Sequence, residues 1–310
     1  MGILVIGPVF VDIKGHPLNT YLPDGRNQGD VETVHGGVSR NIVEDLGNME
    51  LKPTFLSLVD TTGTGKDVVE KLNKHKVNTK YIRPIENGMG IWLAIFDNTG
   101  DVVASISMRP DFTPILKTIE EYGDEIFSSC DSISLEIDAD KEIVKQTFKY
   151  ARKYNKDIYA VISNMSIAIE RRDFFKDVKC LICNLEEAGI LFSENYSGKT
   201  PEEMQPILLE KIKAAQIKSM FVTMGEQGAI FASETGELGH CPALKVEVVD
   251  TTGAGDAFFA GVCAGLTYGK TMKEAAAIGI RLASAVIPTL ENVCPRFLPE
   301  EFGLPAKEDF

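Results

Sequence analysis

Residues 246–268 read VEVVDTTGAGDAFFAGVCAGLTY, and the residue types here could transfer a charged group. Val246, Val248 and Val249 are β-branched and predict the end of a buried strand. Gly253, Ala254 and Gly255 predict a turn that only small residues tolerate. From Asp256 onward the run is apolar almost all round, which predicts a buried helix. A glycine turn at a helix N-terminus leaves backbone N–H groups pointing outward, and the helix dipole favours an anion in front of them. The turn is therefore a candidate phosphate cradle. A carboxylate beside such a cradle repels phosphate unless it faces a second reactant. Asp256 is suited to receive the proton of an attacking hydroxyl while the N–H groups hold the phosphoryl group. The plainer alternative is an N-cap, a role in which Asp is among the best residues.

Three other stretches carry the same kind of chemistry. Gly36 and Gly37 open a helix that places Asn41 in its second turn; the glycines admit a ligand close to the backbone, and Asn offers donor and acceptor to vicinal hydroxyls. Asp12, read as the end of the first strand, can accept two hydroxyl hydrogens, although a solvated turn carboxylate would look the same. Asn184 and Glu187, three apart after the apolar run ending at Cys183, share one helical face. They are either oxygen donors for Mg²⁺ and its waters or a capping box with Asn as cap and Glu at the third helical position. Thr223, Gly225 and Gly228 join two strands through a tight turn that could flank nucleotide phosphates. Residues 60–66, DTTGTGK, nearly repeat DTTGAGD but put Lys66 where the carboxylate stands and fail the GxxxxGK[ST] pattern, so they read as a strand-to-helix loop.

These residues need a scaffold. Ile3–Gly7 is a continuous apolar run with no basic region or cleavage site around it, and predicts a first core strand. Residues 9–22 read as extended and 23–35 as polar turn material over a cleft. Helices are predicted over 38–46, 67–76, 114–122, 140–154, 167–175, 201–216 and 273–286. Strands are predicted over 54–59, 79–83, 131–136, 157–161, 179–183, 219–223 and 228–232. Strand–helix alternation at this spacing means an α/β fold: a mostly parallel sheet covered by helices on both faces. Residues 89–107 predict an antiparallel hairpin around Asp97-Asn98-Thr99-Gly100, on a small separate sheet or as an edge of the main one. The expectation is one domain over 1–310, with segments 9–35 and 85–110 forming a small β-sheet lid. In an open α/β sheet, ligands sit at the carboxyl ends of strands, where Asp12 and the turns at 36–41 and 253–256 could converge.

Composition narrows the partners. The chain has 310 residues, and its net charge of −13 with no basic, aromatic-rich stripe disfavours nucleic acid and favours a small substrate. Cys180 and Cys183 form a CxxC with no second pair, and the six cysteines read as buried, reduced thiols rather than zinc ligands. No run approaches the ~18 apolar residues of a membrane span. A soluble cytoplasmic protein is expected.

Taken together, Asp12, GGxxxN at 36–41, NxxE at 184–187, TxGxxG at 223–228 and DTTGAGD at 250–256 resemble the PfkB, or ribokinase-like, family of carbohydrate and nucleoside kinases, in order and over nearly the whole chain. The resemblance implies an ATP- and Mg²⁺-dependent kinase acting on a primary hydroxyl. It implies that Asp256 is the base and that Gly253, Ala254 and Gly255 form the anion hole. It further implies that Asn184, Thr223, Gly225 and Gly228 serve the nucleotide, and that Asn184 and Glu187 organise Mg²⁺. Asp12, Gly36, Gly37 and Asn41 would hold the sugar under a lid that also makes a homodimer contact. Asp250 and Thr252 would lie by a monovalent cation, K⁺. GGVSRNI, the 88–107 hairpin and LENVCP look like pseudouridine kinases, implying transfer to a nucleoside 5′-hydroxyl. Asp60–Gly65 and Met108-Arg109 depart from the family pattern and leave a ribokinase- or fructokinase-like specificity open. A non-catalytic sugar sensor has no use for Asp256, and Pro8 stands where a dinucleotide-binding oxidoreductase would begin GxGxxG.

Overall fold

A computed structural model describes residues 2–100 and 102–306. The elements in chain order are β1 (Leu4–Ile6), β2 (Phe10–Pro17), β3 (Gly29–Gly36), α1 (Val38–Asn48), β4 (Thr54–Asp60), α2 (Gly63–Lys74), β5 (Ile82–Ile85), β6 (Gly90–Phe96) and β7 (Val102–Met108). There follow α3 (Ile115–Ser129), β8 (Ile133–Glu136), α4 (Lys141–Tyr154), β9 (Ile158–Val161), α5 (Met165–Ile169), β10 (Cys180–Asn184), α6 (Leu185–Phe192) and α7 (Pro201–Ala214). The chain closes with β11 (Ser219–Thr223), β12 (Ala229–Ser233), β13 (Leu238–Cys241), α8 (Ala254–Thr267) and α9 (Met272–Val286).

Among the described residues, nine strands form one sheet in the order β13-β12-β11-β10-β9-β8-β1-β4-β5, all running the same way except β12, which is antiparallel to both its neighbours. Alternation along β1 shows why both faces are covered. Leu4 and Ile6 enter one apolar cluster, with Ile119, Ile126, Val144 and Phe148 of α3 and α4. Ile3 and Val5 enter the other, with Ile42 and Leu46 of α1 and Phe258 and Val262 of α8. Such double coverage produces the unbroken apolar runs seen in the sequence. It also buries α8 on nearly all sides, between the sheet, α1 and α9. No helix among the described residues is long and apolar enough to cross a membrane.

A second sheet has the order β3-β2-β6-β7, antiparallel except between β2 and β6. The 90–108 hairpin belongs to this sheet and not to an edge of the large one; its residue Asp101 lies outside the described residues.

Several expectations are corrected. Residues 29–35 are not turn material: they form β3, whose polar side chains stand exposed on an edge strand. Asp12 is not at the end of β1 but inside β2, paired with Val34 and Trp92, because Gly7-Pro8 ends the first strand early. No strand covers 246–249. Val248 is 67% exposed, and β-branched residues here line a pocket instead of a sheet. The glycines of DTTGTGK lie within α2, which starts at Gly63 rather than Asp67, and the next strand begins at Ile82 rather than Thr79. The segment 167–175 is split into α5 and a 3₁₀ turn at Arg172–Asp177. β13 had no counterpart among the expected elements, whereas α6 is the helix of the capping alternative at Asn184. Cys241 is only partly covered, whereas the other five thiols are buried.

Candidate active site

The chain enters α8 as an irregular segment pinned by its own backbone. The N–H groups of Val249 and Asp250 both donate to the Ile287 carbonyl, at 3.0 and 3.2 Å. Oδ1 of Asp250 then accepts from the Thr252 N–H at 2.8 Å and from its hydroxyl at 2.7 Å, turning the chain. Oδ2 of Asp250 meets Nζ of Lys14 from β2 at 3.4 Å, which ties the small sheet to this turn. Gly253 caps α8 with φ +81, and a Cβ there would lie 2.0 Å from the Asn292 carbonyl oxygen, so only glycine fits. Ala254 begins the helix and Asp256 is its third residue, not its N-cap. Nothing stands within 4 Å of where a Gly255 Cβ would be; open space lies in front of the helix start.

Asp256 faces α1. Nδ2 of Asn41 donates to Oδ2 of Asp256 at 2.6 Å, a contact between residues 215 apart in the chain. Around this pair is a cleft of about 310 Å³ lined by Asp12, Gly37, Asn41, Thr252, Gly253 and Asp256. Gly36 stands behind it, against the Asp12 carboxylate. Phe10, Trp92, Ser107, Arg109, Glu136, Ser163 and Asn164 complete its lining. Arg109, at the end of β7, reaches Oδ2 of Asp138 at 3.0 Å and so joins the two sheets across the cleft. The Ser163 hydroxyl donates within reach of both Glu136 (3.0 Å) and Asp138 (2.8 Å).

Three carboxyls on the cleft, Asp12, Glu136 and Asp256, are raised above their ordinary values. Burial pushes the Asp256 pKa up to about 7; the Asn41 hydrogen bond and the Arg40 charge pull it down, and Asp12 and Glu187 push it up again. Asp256 keeps some surface at the cleft floor, yet protein surrounds its carboxyl. Asp12 is also raised by burial, opposed by Arg40 and Lys14. Glu136 is raised by burial and by Asp138 beside it. A carboxylate held near neutrality beside a cavity has the pKa a general base needs.

On the other side of Gly255 lies a larger cavity of about 610 Å³. Thr223, Gly225 and Gly228 form its polar end; Leu244, Val246, Val248, Phe258 and Ile287 form an apolar end. A third cavity of about 260 Å³ holds Asn184, Glu187, Thr223, Gly255 and Asp256 together. Here the capping reading is realised: Oδ1 of Asn184 accepts from the Glu187 N–H at 2.8 Å, and Oε2 of Glu187 accepts from the Asn184 N–H at 2.8 Å. The box engages the single side-chain oxygen of Asn184 and leaves Oε1 of Glu187 open. Burial raises the Glu187 pKa, with the Asn184 N–H opposing and Glu186 and Asp138 adding to the rise. Hard oxygen donors beside an open helix N-terminus fit a hydrated Mg²⁺ and phosphates.

A model of the pfkB family of carbohydrate kinases matches residues 2–291. The chain belongs to that family. It is 33% identical over 292 residues to a guanosine-inosine kinase of Exiguobacterium acetylicum, covering 94% of this chain and 95% of that protein. It is 28% identical to a ribokinase of Schizosaccharomyces pombe, over 81% of this chain and 78% of that one. It is 24% identical to a pseudouridine kinase of Escherichia coli, over 84% of this chain and 82% of that one. Among solved structures, Arabidopsis thaliana ribokinase complexed with ribose and ATP superposes with a TM-score of 0.79 at 18% identity, over 97% of both chains. The protein is thus a carbohydrate or nucleoside kinase with a ribokinase-like fold.

Within this family member, the expected site residues fall around Asp256, Gly253–Gly255 and the three cavities that meet there. Sequence reasoning missed Glu136, Ser163 and Asn164, and the apolar wall of the large cavity. Glu136 and Ser163 close or follow parallel strands, and that position alone could have flagged them. The exposed valines gave a signal of their own, since β-branched residues without a partner strand need another surface to cover them.

Proposed function

We propose that this kinase transfers the γ-phosphoryl group of ATP to the 5′-hydroxyl of a ribonucleoside, with guanosine and inosine the favoured acceptors. The observation that carries the reading is the placement of Asp256, hydrogen-bonded by Asn41 and shared by an acceptor-sized cleft and the cavity before Gly255. The acceptor cleft supports a nucleoside over a bare sugar, since it offers the rings of Phe10 and Trp92 beside its carboxylate and amide groups. The 33% identical guanosine-inosine kinase supports the purine choice. Pseudouridine is the second reading, supported by the residue patterns at 36–42 and 88–107 and by the 24% identical pseudouridine kinase.

In this reading Asp12, Gly36, Gly37 and Asn41 hold the ribose hydroxyls. Asn41 keeps Oδ2 of Asp256 occupied, so Oδ1 takes the 5′-hydroxyl proton as the new O–P bond forms and the bond to the leaving diphosphate breaks. Gly253, Ala254 and Gly255 present N–H groups to the phosphoryl oxygens, where charge builds. Thr223, Gly225 and Gly228 flank the nucleotide phosphates, and the apolar wall takes its base. Asn184 and Glu187 would hold Mg²⁺ through its waters, where it would supply charge neutralisation for those phosphates. Asp250 and Thr252 are the place for a monovalent cation near the cradle. The four-stranded sheet acts as a lid on a single domain, excluding water from the cleft.

The test is ADP release by purified protein with ATP and Mg²⁺ over guanosine, inosine, adenosine, pseudouridine, uridine, ribose and fructose. The expected result is the highest kcat/KM on guanosine and inosine. Turnover confined to pseudouridine replaces the purine choice, and turnover on free sugars alone overturns the nucleoside reading.

A further inference from the structure

Among the described residues, Arg40 is the largest side chain buried completely, at 1% exposed. It precedes Asn41 in α1 and donates to four acceptors: the Glu44 carboxylate one turn on, the His35 carbonyl, Oδ1 of Asn41, and Oδ1 of Asn292 at 3.0 Å. Glu44 is itself fully buried, and Lys71 approaches its other oxygen at 3.1 Å. Taking a guanidinium and a carboxylate out of water costs several kcal/mol per ion before pairing, so a pair this deep is weak evidence for stability alone. The three further acceptors point elsewhere, because two of them border the catalytic groups.

We propose that Arg40, balanced by Glu44, is a positioning residue for phosphoryl transfer, setting the polarity of the Asn41 amide and thereby selecting the oxygen of Asp256 that takes the proton. This rests on the reading of Asp256 as the base. A guanidinium carries only donors. Asn41 must therefore turn its oxygen to Arg40, which leaves its NH₂ for Oδ2 of Asp256 at 2.6 Å. Rotated by half a turn, the amide would set oxygen against carboxylate and push Asp256 away. Asn292 extends the device. Its amide accepts from Arg40 and donates to the His35 carbonyl at 2.8 Å, while its backbone carbonyl packs against Gly253, where the phosphate cradle begins. One buried cation thus ties the α1 entry, the base and the cradle together. Its charge also opposes the upward push of burial, Asp12 and Glu187 on Asp256. The titratable groups that face Arg40 are Glu44, Asp12, Asp256 and His35, with Lys71 and His75 behind Glu44.

Arg40→Met, Arg40→Lys and the double variant Arg40→Leu/Glu44→Leu test this, the last because removing both charges leaves no uncompensated ion in the core. The readouts are kcat, nucleoside KM, the pH profile of kcat/KM, and the titration of the Asp256 carboxyl, taken by infrared difference against Asp256→Asn. Arg40→Met is expected to lower kcat by roughly 10–100-fold with KM within about threefold, and to move the acid limb and the carboxyl titration up by about one pH unit. Arg40→Lys restores the limb but only part of kcat, since an ammonium keeps the charge and loses the fork. In the Asp256→Asn background Arg40→Met adds less than about twofold, because residues acting as a unit are not additive. A double variant that melts like the wild type, turns over like it and leaves the carboxyl titration unmoved overturns the proposal. So does a loss of full size persisting in Asp256→Asn. Absence of nucleoside turnover in the wild type defeats the proposed function instead, and the titration still decides whether Arg40 acts on Asp256.

Discussion

Asp256 shows how one residue acquires a chemical identity from its surroundings. Its pKa, raised to about 7 mainly by burial, sets both an activity and a stability signature. The base form is the ionised one, so kcat/KM is expected to fall about tenfold per unit of pH below 7 and to level off above it. The stability sign is opposite. Between the ordinary carboxylate range and about 7 the folded protein binds the extra proton, so the contribution to stability is full at low pH and is lost as pH rises through 7. Asp256→Asn removes both effects: turnover drops by roughly 10²–10⁴, while the melting temperature at pH 8 holds or rises. Near-normal turnover in that variant would remove Asp256 from the base role. The type and position of this residue were legible in the sequence. Its place inside the helix, and its partner Asn41, were not, because an N-cap and a third helical residue differ only in how the preceding turn folds.

At the scale of the element, the turn before α8 concentrates the constraints. Gly253→Ala forces a Cβ onto the Asn292 carbonyl oxygen and strains a φ of +81, at a cost of about 1–3 kcal/mol. Gly269 has the same φ with nothing within 4 Å of its Cβ position, so Gly269→Ala carries the strain without the collision. Gly253→Ala is expected to melt lower than Gly269→Ala and to lose turnover that Gly269→Ala keeps; equal melting and equal turnover of the two would show that the cradle tolerates a side chain. The Asn184–Glu187 pair carries a different lesson. A spacing of three satisfies a helix cap and a metal site alike, and the box forms at the mouth of the cavity that would hold phosphates. β3 was illegible for a related reason: an edge strand with both faces wet lacks the apolar alternation that marks a strand.

For the whole molecule, we propose that the four-stranded sheet closes over the cleft and carries a homodimer contact. Lys14–Asp250 and Arg109–Asp138 bring it down onto the large sheet. Its outer surface leaves Val31 73% and Ile106 69% exposed, together with Val102 and Met108. Apolar residues gathered on one sheet mark an interaction surface. Sedimentation at micromolar concentration is expected to show a homodimer that Ile106→Lys with Val31→Lys converts to monomer; a monomeric wild type would refute assembly through this face.

By itself the sequence determined the fold class, the family and the glycine turn before Asp256. Glycines at fixed spacing before a carboxylate are dictated by local backbone geometry, and unbroken apolar strands follow from a sheet covered on both sides. Only the tertiary structure decided which distant groups meet: Asn41 with Asp256, Arg40 with Asn292, Arg109 with Asp138. Those pairings depend on how the two sheets and α1, α8 and the 292 segment pack in space. No one-dimensional spacing records that, so the raised Asp256 carboxyl and the contacts around it appear only once the chain is folded.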